Sequence, residues 1–297
     1  MSLNIIKVKL NSFYLLTSGL WIKIPKLAIL IDPNKGEETK KVYNAVISVI
    51  KESSRDNISD SLEIWVGDSK ERMKNVHVYL SKLEEEESLP TELEIVIFPG
   101  HPLQIGHSAD SIMMPDLLNA RGLIKWLLGI GKKYHWLFKY YSKMRKRSFP
   151  RDRKYGYMVL RSESSVGRKV KAKDLTDEEA FIEVKEKWKK YWEYIYLEAG
   201  SGNFRYTIAR RPDLVKKVSE FAHQQGSKVI TGGGIKTSDD IITLLESGSD
   251  LIVISTILEK SENPKELIKV FLDYVLEYNQ KNGSTPLIEE PHLQSTI

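Results

Sequence analysis

The chain has 297 residues, 41% of them hydrophobic, with no cysteine and a net charge of +5. That is ample apolar material for one large packed core. It excludes a disulfide framework and a thiolate zinc site, and the absence of any run of about 18 apolar residues excludes a membrane-spanning helix.

The first stretch, MSLNIIKVKLNSFYLLTSGLW, lacks the cationic start and small-residue cleavage site of a secretory signal, so a cytoplasmic protein is expected. Residues 1–26 read as a small N-terminal cap. From there short apolar runs recur: LAILI (27–31), LEIWV (62–66), LEIVIF (93–98), DSIMM (110–114), YGYMVL (155–160), EYIYLE (193–198), KVIT (228–231) and DLIVI (250–254). Most are apolar at successive positions rather than alternating, the pattern of strands buried on both faces. Helical periodicity fills the gaps. ETKKVYNAVISVIKESS carries Val42, Ala45, Val46 and Val49 on one face. PDLVKKVSEFAHQQG opens on a proline and stops at Gly226, and TSDDIITLLESG opens on capping residues and is followed by Gly248.

Eight β units alternating with helices predict a (β/α)8, TIM-like barrel. An open doubly wound sheet is the runner-up, but eight strands close, and no G-x-G-x-x-G follows the first of them. The connection PGHPLQIGHSA after the third strand is too rich in glycine and proline for a long helix, so a loop is expected there. His101 and His107 in it are read as hydrogen-bonded or solvated rather than as metal ligands. One barrel is expected over 1–281, its bottom covered by the cap at 1–26, with a basic amphipathic insertion at 120–154 and a flexible tail at 282–297. From Lys125 to Lys154 there are eleven Lys and Arg against one acid, Asp152. With Leu117, Leu118, Leu123, Trp126, Leu127, Leu128 and the aromatics from Tyr134 to Tyr141, this segment suits an apolar groove and an anionic membrane surface. No recognised module argues for nucleic acid.

In such a barrel the chemistry sits at the C-terminal ends of the strands, with phosphate often bound after the seventh and eighth. Gly232, Gly233 and Gly234 follow the seventh strand, Ser255 and Thr256 the eighth, and Ser201 and Gly202 the sixth. Small residues let main-chain donors approach an anion, and the helix after the glycines adds a positive end. Glu198 stands apart. A carboxylate beside a phosphate repels it, so its work is expected to be on a substrate hydroxyl; the plainer reading is a structural acid paired with Arg205 or Arg210. Tyr196 lies two residues away on the same face of the strand.

YLEAGSG, TGGGIKTSDD and FPGHPLQIGHSADSIMMPDLLNA together resemble the geranylgeranylglyceryl phosphate synthases. The likeness runs from about Leu27 to Glu259 and takes in IDPNK at 31–35 and SVGRKV after the fifth strand. The resemblance implies a modified TIM barrel with one helix replaced by a loop. It implies a prenyltransferase that joins a prenyl diphosphate, geranylgeranyl diphosphate in the archaeal enzymes, to the C3 hydroxyl of sn-glycerol 1-phosphate with the help of Mg2+. Carried over by position, glycerol phosphate would lie on Tyr196, Leu197, Glu198, Ala199, Gly200, Ser201 and Gly202, with Gly233, Gly234, Ser255 and Thr256 completing the grip. Magnesium would be held by Asp32 and Ser69. Glu198 would orient the hydroxyl and accept its proton, with Tyr196 as a positioning donor. The chain departs from the family pattern at Asn34, where an acid is usual, at Asp68, where a glycine is usual, and at Ser255. Family members commonly associate through barrel faces, so a homo-oligomer is compatible with the reading. The alternatives are a phosphosugar-type barrel enzyme and a diverged, non-catalytic glycerol-phosphate or lipid binder.

Overall fold

The computed structural model of the chain describes residues 8–10, 13–15, 21–53, 58–67, 73–86, 89–99, 109–120, 150–200 and 206–282. Three short strands come first, β1 (Val8–Leu10), β2 (Phe13–Leu15) and β3 (Trp21–Lys23), paired antiparallel in that order. Each of the eight apolar runs then forms a strand: β4 (Lys26–Ile31), β5 (Leu62–Val66), β6 (Glu94–Ile97), β7 (Ser111–Leu117), β8 (Arg151–Val159), β9 (Tyr194–Glu198), β10 (Lys228–Gly232) and β11 (Leu251–Ile254). They are parallel neighbours in chain order, and β11 pairs back onto β4 from Leu251↔Lys26 to Ile254↔Ile29, closing the cylinder.

The helices are where periodicity and caps predict them. Glu37–Glu52 buries Val42, Ala45, Val46 and Val49. Pro212–Gln224 has its proline in the first turn, where the missing N–H costs nothing. Ser238–Glu246 is opened by a reciprocal cap between Thr237 and Asp240. After β11 the helix Pro264–Asn282 buries Ile268, Phe271, Leu272 and Val275 and packs against Glu37–Glu52 and β4.

Two strands outrun their apolar signal. β7 continues to Leu117, and β8 begins at Arg151 rather than at Tyr155, the two pairing from Ser111↔Arg151 to Leu117↔Tyr157. Pro115 is tolerated because it lies beyond Ser111 and Ile112, where β7 pairs with β6. Residues 151–154, counted with the basic insertion, are therefore barrel strand, and Leu117 and Leu118 are buried core rather than groove. The rest of the insertion (121–149), most of the loop expected after the third strand (100–108, with His101 and His107) and the tail from 283 lie outside the described residues.

Alternate residues face inward. Odd-numbered β4 residues such as Leu27, Ile29 and Ile31 pack outward under the helices, while Ala28, Trp65, Val96, Met113, Tyr155, Tyr157, Tyr196, Ile230 and Val253 fill the inside. The middle is a stack of rings, with Trp65 and Phe98 5.4 Å apart between centroids and Tyr157 and Tyr196 5.1 Å apart. At the N-terminal end the inner positions carry charge. Arg153 grips Glu63 with two hydrogen bonds of 2.7 and 3.2 Å, and its Nε donates to Glu94 at 3.1 Å. Lys26 stands 3.8 Å from Glu63, and Trp65 Nε1 and Ser111 Oγ donate to Glu63 and Glu94 at 3.0 and 2.9 Å.

Candidate active site

At the opposite, C-terminal end of the strands, β9 terminates on Glu198, which faces inward two residues after Tyr196. Its carboxylate is held at both oxygens. The Tyr196 hydroxyl donates to Oε2 at 2.6 Å and the Gly200 N–H donates to Oε1 at 2.7 Å. Glu198 is 8% exposed, and burial raises its pKa above the usual glutamate value despite those two donors. Burial and the neighbouring carboxylate push the Tyr196 hydroxyl up as well, which keeps it a donor. Among the described residues no lysine or arginine forms a salt bridge with Glu198; Arg205 is outside them, and Arg210 is not paired with it. Two carboxylate lone-pair directions remain for a substrate hydroxyl.

The glycines after β10 first make room for protein. A Cβ on Gly232 would lie 2.4 Å from the Tyr196 hydroxyl, one on Gly233 2.7 Å from Glu198 Oε1, and one on Gly234 2.1 Å from the Tyr206 carbonyl oxygen. Gly233 and Gly234 also have φ of +96° and +76°, a backbone that favours glycine. The next helix opens on a cap made by its own threonine and acid. Asp240 accepts from Lys236 N and Thr237 N, and its own N–H goes to Thr237 Oγ1. The cap engages Lys236 N, Thr237 N and Asp240 N; the first two amides of the helix, those of Ser238 and Asp239, take no part in it. Leu197 and Ala199 are buried beside Glu198, and Gly200, with φ +82°, packs on Ser164. Ser201 and Gly202 lie outside the described residues.

After β11, Ser255 Oγ donates to Glu259 at 2.9 Å, and Thr256 opens the short helix Thr256–Lys260. Glu259 also accepts from Lys35 Nζ at 2.5 Å, which ties this loop to the one after β4. There Asp32 follows the strand directly. Its Oδ1 accepts from Asn34 N at 3.0 Å, and its Oδ2 stands 3.9 Å from Lys35 Nζ. Asp32 is a hard-oxygen donor of the kind magnesium prefers, and a magnesium site that relies on substrate phosphates needs only one or two carboxylates. Ser69 and Asp68 lie outside the described residues, among which no group of three or more metal-ligating side chains occurs. Asn34 leaves Asp32 as the loop's single acid.

The structure thus brings Tyr196, Glu198, Gly200, Gly233 and Gly234 into one constellation. Ser255, Thr256 and Asp32 sit on the neighbouring loops of the same rim, since β11 lies between β10 and β4. Two features escape a reading of motifs. One is the Lys35–Glu259 bridge, which joins residues far apart in sequence. The other is Arg161, just beyond β8, whose guanidinium lies 4.7 Å from the Tyr206 ring centroid. Its only signal was an arginine directly after a barrel strand.

The profile of the PcrB family matches residues 21–274. Geranylgeranylglyceryl phosphate synthase of Methanosphaera stadtmanae is 26% identical over 249 residues, 83% of this chain and 92% of that protein. The enzyme of the same name from Flavobacterium johnsoniae is 28% identical over 80% of this chain and 89% of its own length. Among solved structures, (S)-3-O-geranylgeranylglyceryl phosphate synthase of Thermoplasma acidophilum, in complex with its substrate sn-glycerol-1-phosphate, superposes with a TM-score of 0.66 at 25% identity, covering 86% of this chain and 94% of that one.

Proposed function

The chain belongs to the PcrB family, and from that premise we propose that it is a prenyltransferase joining a prenyl diphosphate to the C3 hydroxyl of sn-glycerol 1-phosphate, with geranylgeranyl as the prenyl group for which its relatives are named. The observation that carries the proposal is Glu198: an enclosed carboxylate that no cation among the described residues pairs with, held by Tyr196 and Gly200 beside the Gly233–Gly234 turn. A site for an anionic headgroup has no use for such a group unless it acts on the alcohol.

The glycerol phosphate lies on residues 196–202, its phosphate against Gly233, Gly234, Ser255 and Thr256. Glu198 accepts the proton of the C3 hydroxyl as the oxygen bonds to the allylic carbon and diphosphate departs. Tyr196 keeps the carboxylate aimed, and its hydrogen bond offsets part of the cost of burying that charge. The ring stack below the carboxylate, Trp65, Phe98, Tyr157 and Tyr196, excludes water from the interior side of the reacting centre. Asp32 with Ser69 would hold Mg2+, which neutralises charge developing on a diphosphate leaving group. A cytoplasmic location, contact of the basic segment with an anionic membrane surface and self-association through barrel faces belong to the same proposal.

The test is turnover. Full-length protein, Mg2+, sn-glycerol 1-phosphate and prenyl diphosphates of several lengths should give the prenyl ether and free diphosphate, and sn-glycerol 3-phosphate should be a poor acceptor. Glycerol phosphate binding without product from any donor would make the protein a non-catalytic binder. No binding at all would sink the reading.

A further inference from the structure

Arg161 leaves the fifth barrel strand and takes no part in the proton transfer or the metal site. It is 7% exposed. Its Nε donates to Glu163 Oε1 at 2.8 Å, its guanidinium lies over Tyr206, and among the described residues its Nη1 has no acceptor. Guanidinium groups stay protonated inside proteins, so this one cannot shed the cost of burial by losing its charge. Its carboxylate partner is a weak compensation, because the Glu163 side chain is 55% exposed and screened by water. An enclosed, permanent cation with an unused N–H is a group prepared for an acceptor that the protein does not itself provide.

Its supports locate it. Leu160 N donates to the Glu198 carbonyl at 2.8 Å, which sets the chain next to β9. The Arg161 carbonyl accepts from Ser164 Oγ at 2.9 Å, and Ser164 is the residue that a Cβ on Gly200 would strike at 2.4 Å. On the other side, the Tyr206 carbonyl is what a Cβ on Gly234 would strike. The turn that carries Arg161 thus packs on Gly200, and the backbone of the residue whose ring it lies over packs on Gly234.

We propose that Arg161 is a phosphate-recognising residue of this site, supplying the sn-glycerol 1-phosphate headgroup with the cation that the glycine and Ser255–Thr256 turns lack. The proposal rests on the reading of the site as one for glycerol phosphate. A guanidinium fork matches two phosphate oxygens, and stacking on Tyr206 holds its plane. Glu163 neutralises it while the site is empty and, being exposed, is easily given up.

The full-length protein and its Arg161→Met and Arg161→Lys variants are compared by calorimetric titration with sn-glycerol 1-phosphate, inorganic phosphate and diphosphate, and by thermal melting with and without each. Arg161→Met should weaken sn-glycerol 1-phosphate and inorganic phosphate by about 10- to 100-fold. Arg161→Lys should fall between, since a point charge does not fork. The ligand-free Arg161→Met protein should melt no lower than the parent, because a costly buried charge has gone, while its gain in melting temperature with phosphate shrinks. A purely structural role predicts the reverse: a lower ligand-free melting temperature and an unchanged ligand shift. That result, or a loss confined to diphosphate, overturns the proposal alone. Failure of the parent protein to bind sn-glycerol 1-phosphate overturns it together with the reading on which it rests.

Discussion

Glu63 and Glu198 face the inside of the same cylinder, from β5 and β9, and are 3% and 8% exposed. Burial alone would raise both. At the N-terminal end, Arg153 and Lys26 outweigh burial and bring Glu63 below the usual carboxylate range, and Arg153 and Ser111 hold Glu94 down at about 2. At the C-terminal end, a phenol and one amide do not outweigh it, and Glu198 stays raised. The difference shows where the barrel spends its charge. Among the described residues, Glu63 and Glu94 at one end are matched by cations and gain a fixed structure, while Glu198 at the other end is not and takes a proton more readily than an ordinary glutamate.

The largest effect that can break this contrast is Glu198→Gln. It should lower kcat by about 10²- to 10⁴-fold and leave the melting temperature unchanged or slightly higher, since a costly buried charge is removed. A variant that unfolds instead would place Glu198 with Glu63 as a structural acid. The mirror experiment is Arg153→Met, which strands Glu63 and Glu94 without their shared cation. It should cost about 3–5 kcal/mol of stability in urea unfolding, and adding Glu63→Leu and Glu94→Leu should recover much of that loss.

Tyr196→Phe sharpens the contrast at the active end. Losing a hydrogen bond to a charged acceptor should lower kcat/KM by about tenfold or more. That bond lowers the Glu198 pKa, so its removal should move the acid limb of the pH–rate profile upward from a position already above the ordinary glutamate value. The smallest effects are those of pH on stability. Glu63 and Glu94 are more acidic folded than unfolded, so their contribution is complete above the usual value of 4.5 and drains as pH falls toward about 2. Glu198 is less acidic folded than unfolded, so stability declines as pH rises from 4.5 through its folded value. Arg153→Met should flatten the first slope and Glu198→Gln remove the second, read by urea titrations across pH.

The cylinder was legible because strands buried on both faces print unbroken apolar runs, and eight such runs close. What stayed hidden was the polar part of it. Arg151 and Arg153 read as the tail of a basic segment, and nothing local says that Arg153 meets Glu63 across 90 positions of chain. The carboxylate at the open end was legible because YLEAGSG puts Tyr196 and Glu198 two apart, the period of a strand. The glycines were recognised as a turn, yet their nearest neighbours are a hydroxyl, a carboxylate and a carbonyl of the protein itself. Likewise the Thr237–Asp240 pair marked the start of a helix correctly. Arg161 needed coordinates, since an unsatisfied N–H is a property of surroundings and not of sequence.

The ion cluster around Arg153 also limits where grease can go. With charged side chains across the floor and stacked rings in the shaft, the described interior makes the axis a poor path for an oily twenty-carbon tail. If the donor is a long prenyl chain, it has to leave sideways across the lip. Its length would then be gauged by the outer wall and whatever lies against it, so residues far from the reacting carbon would act as the ruler.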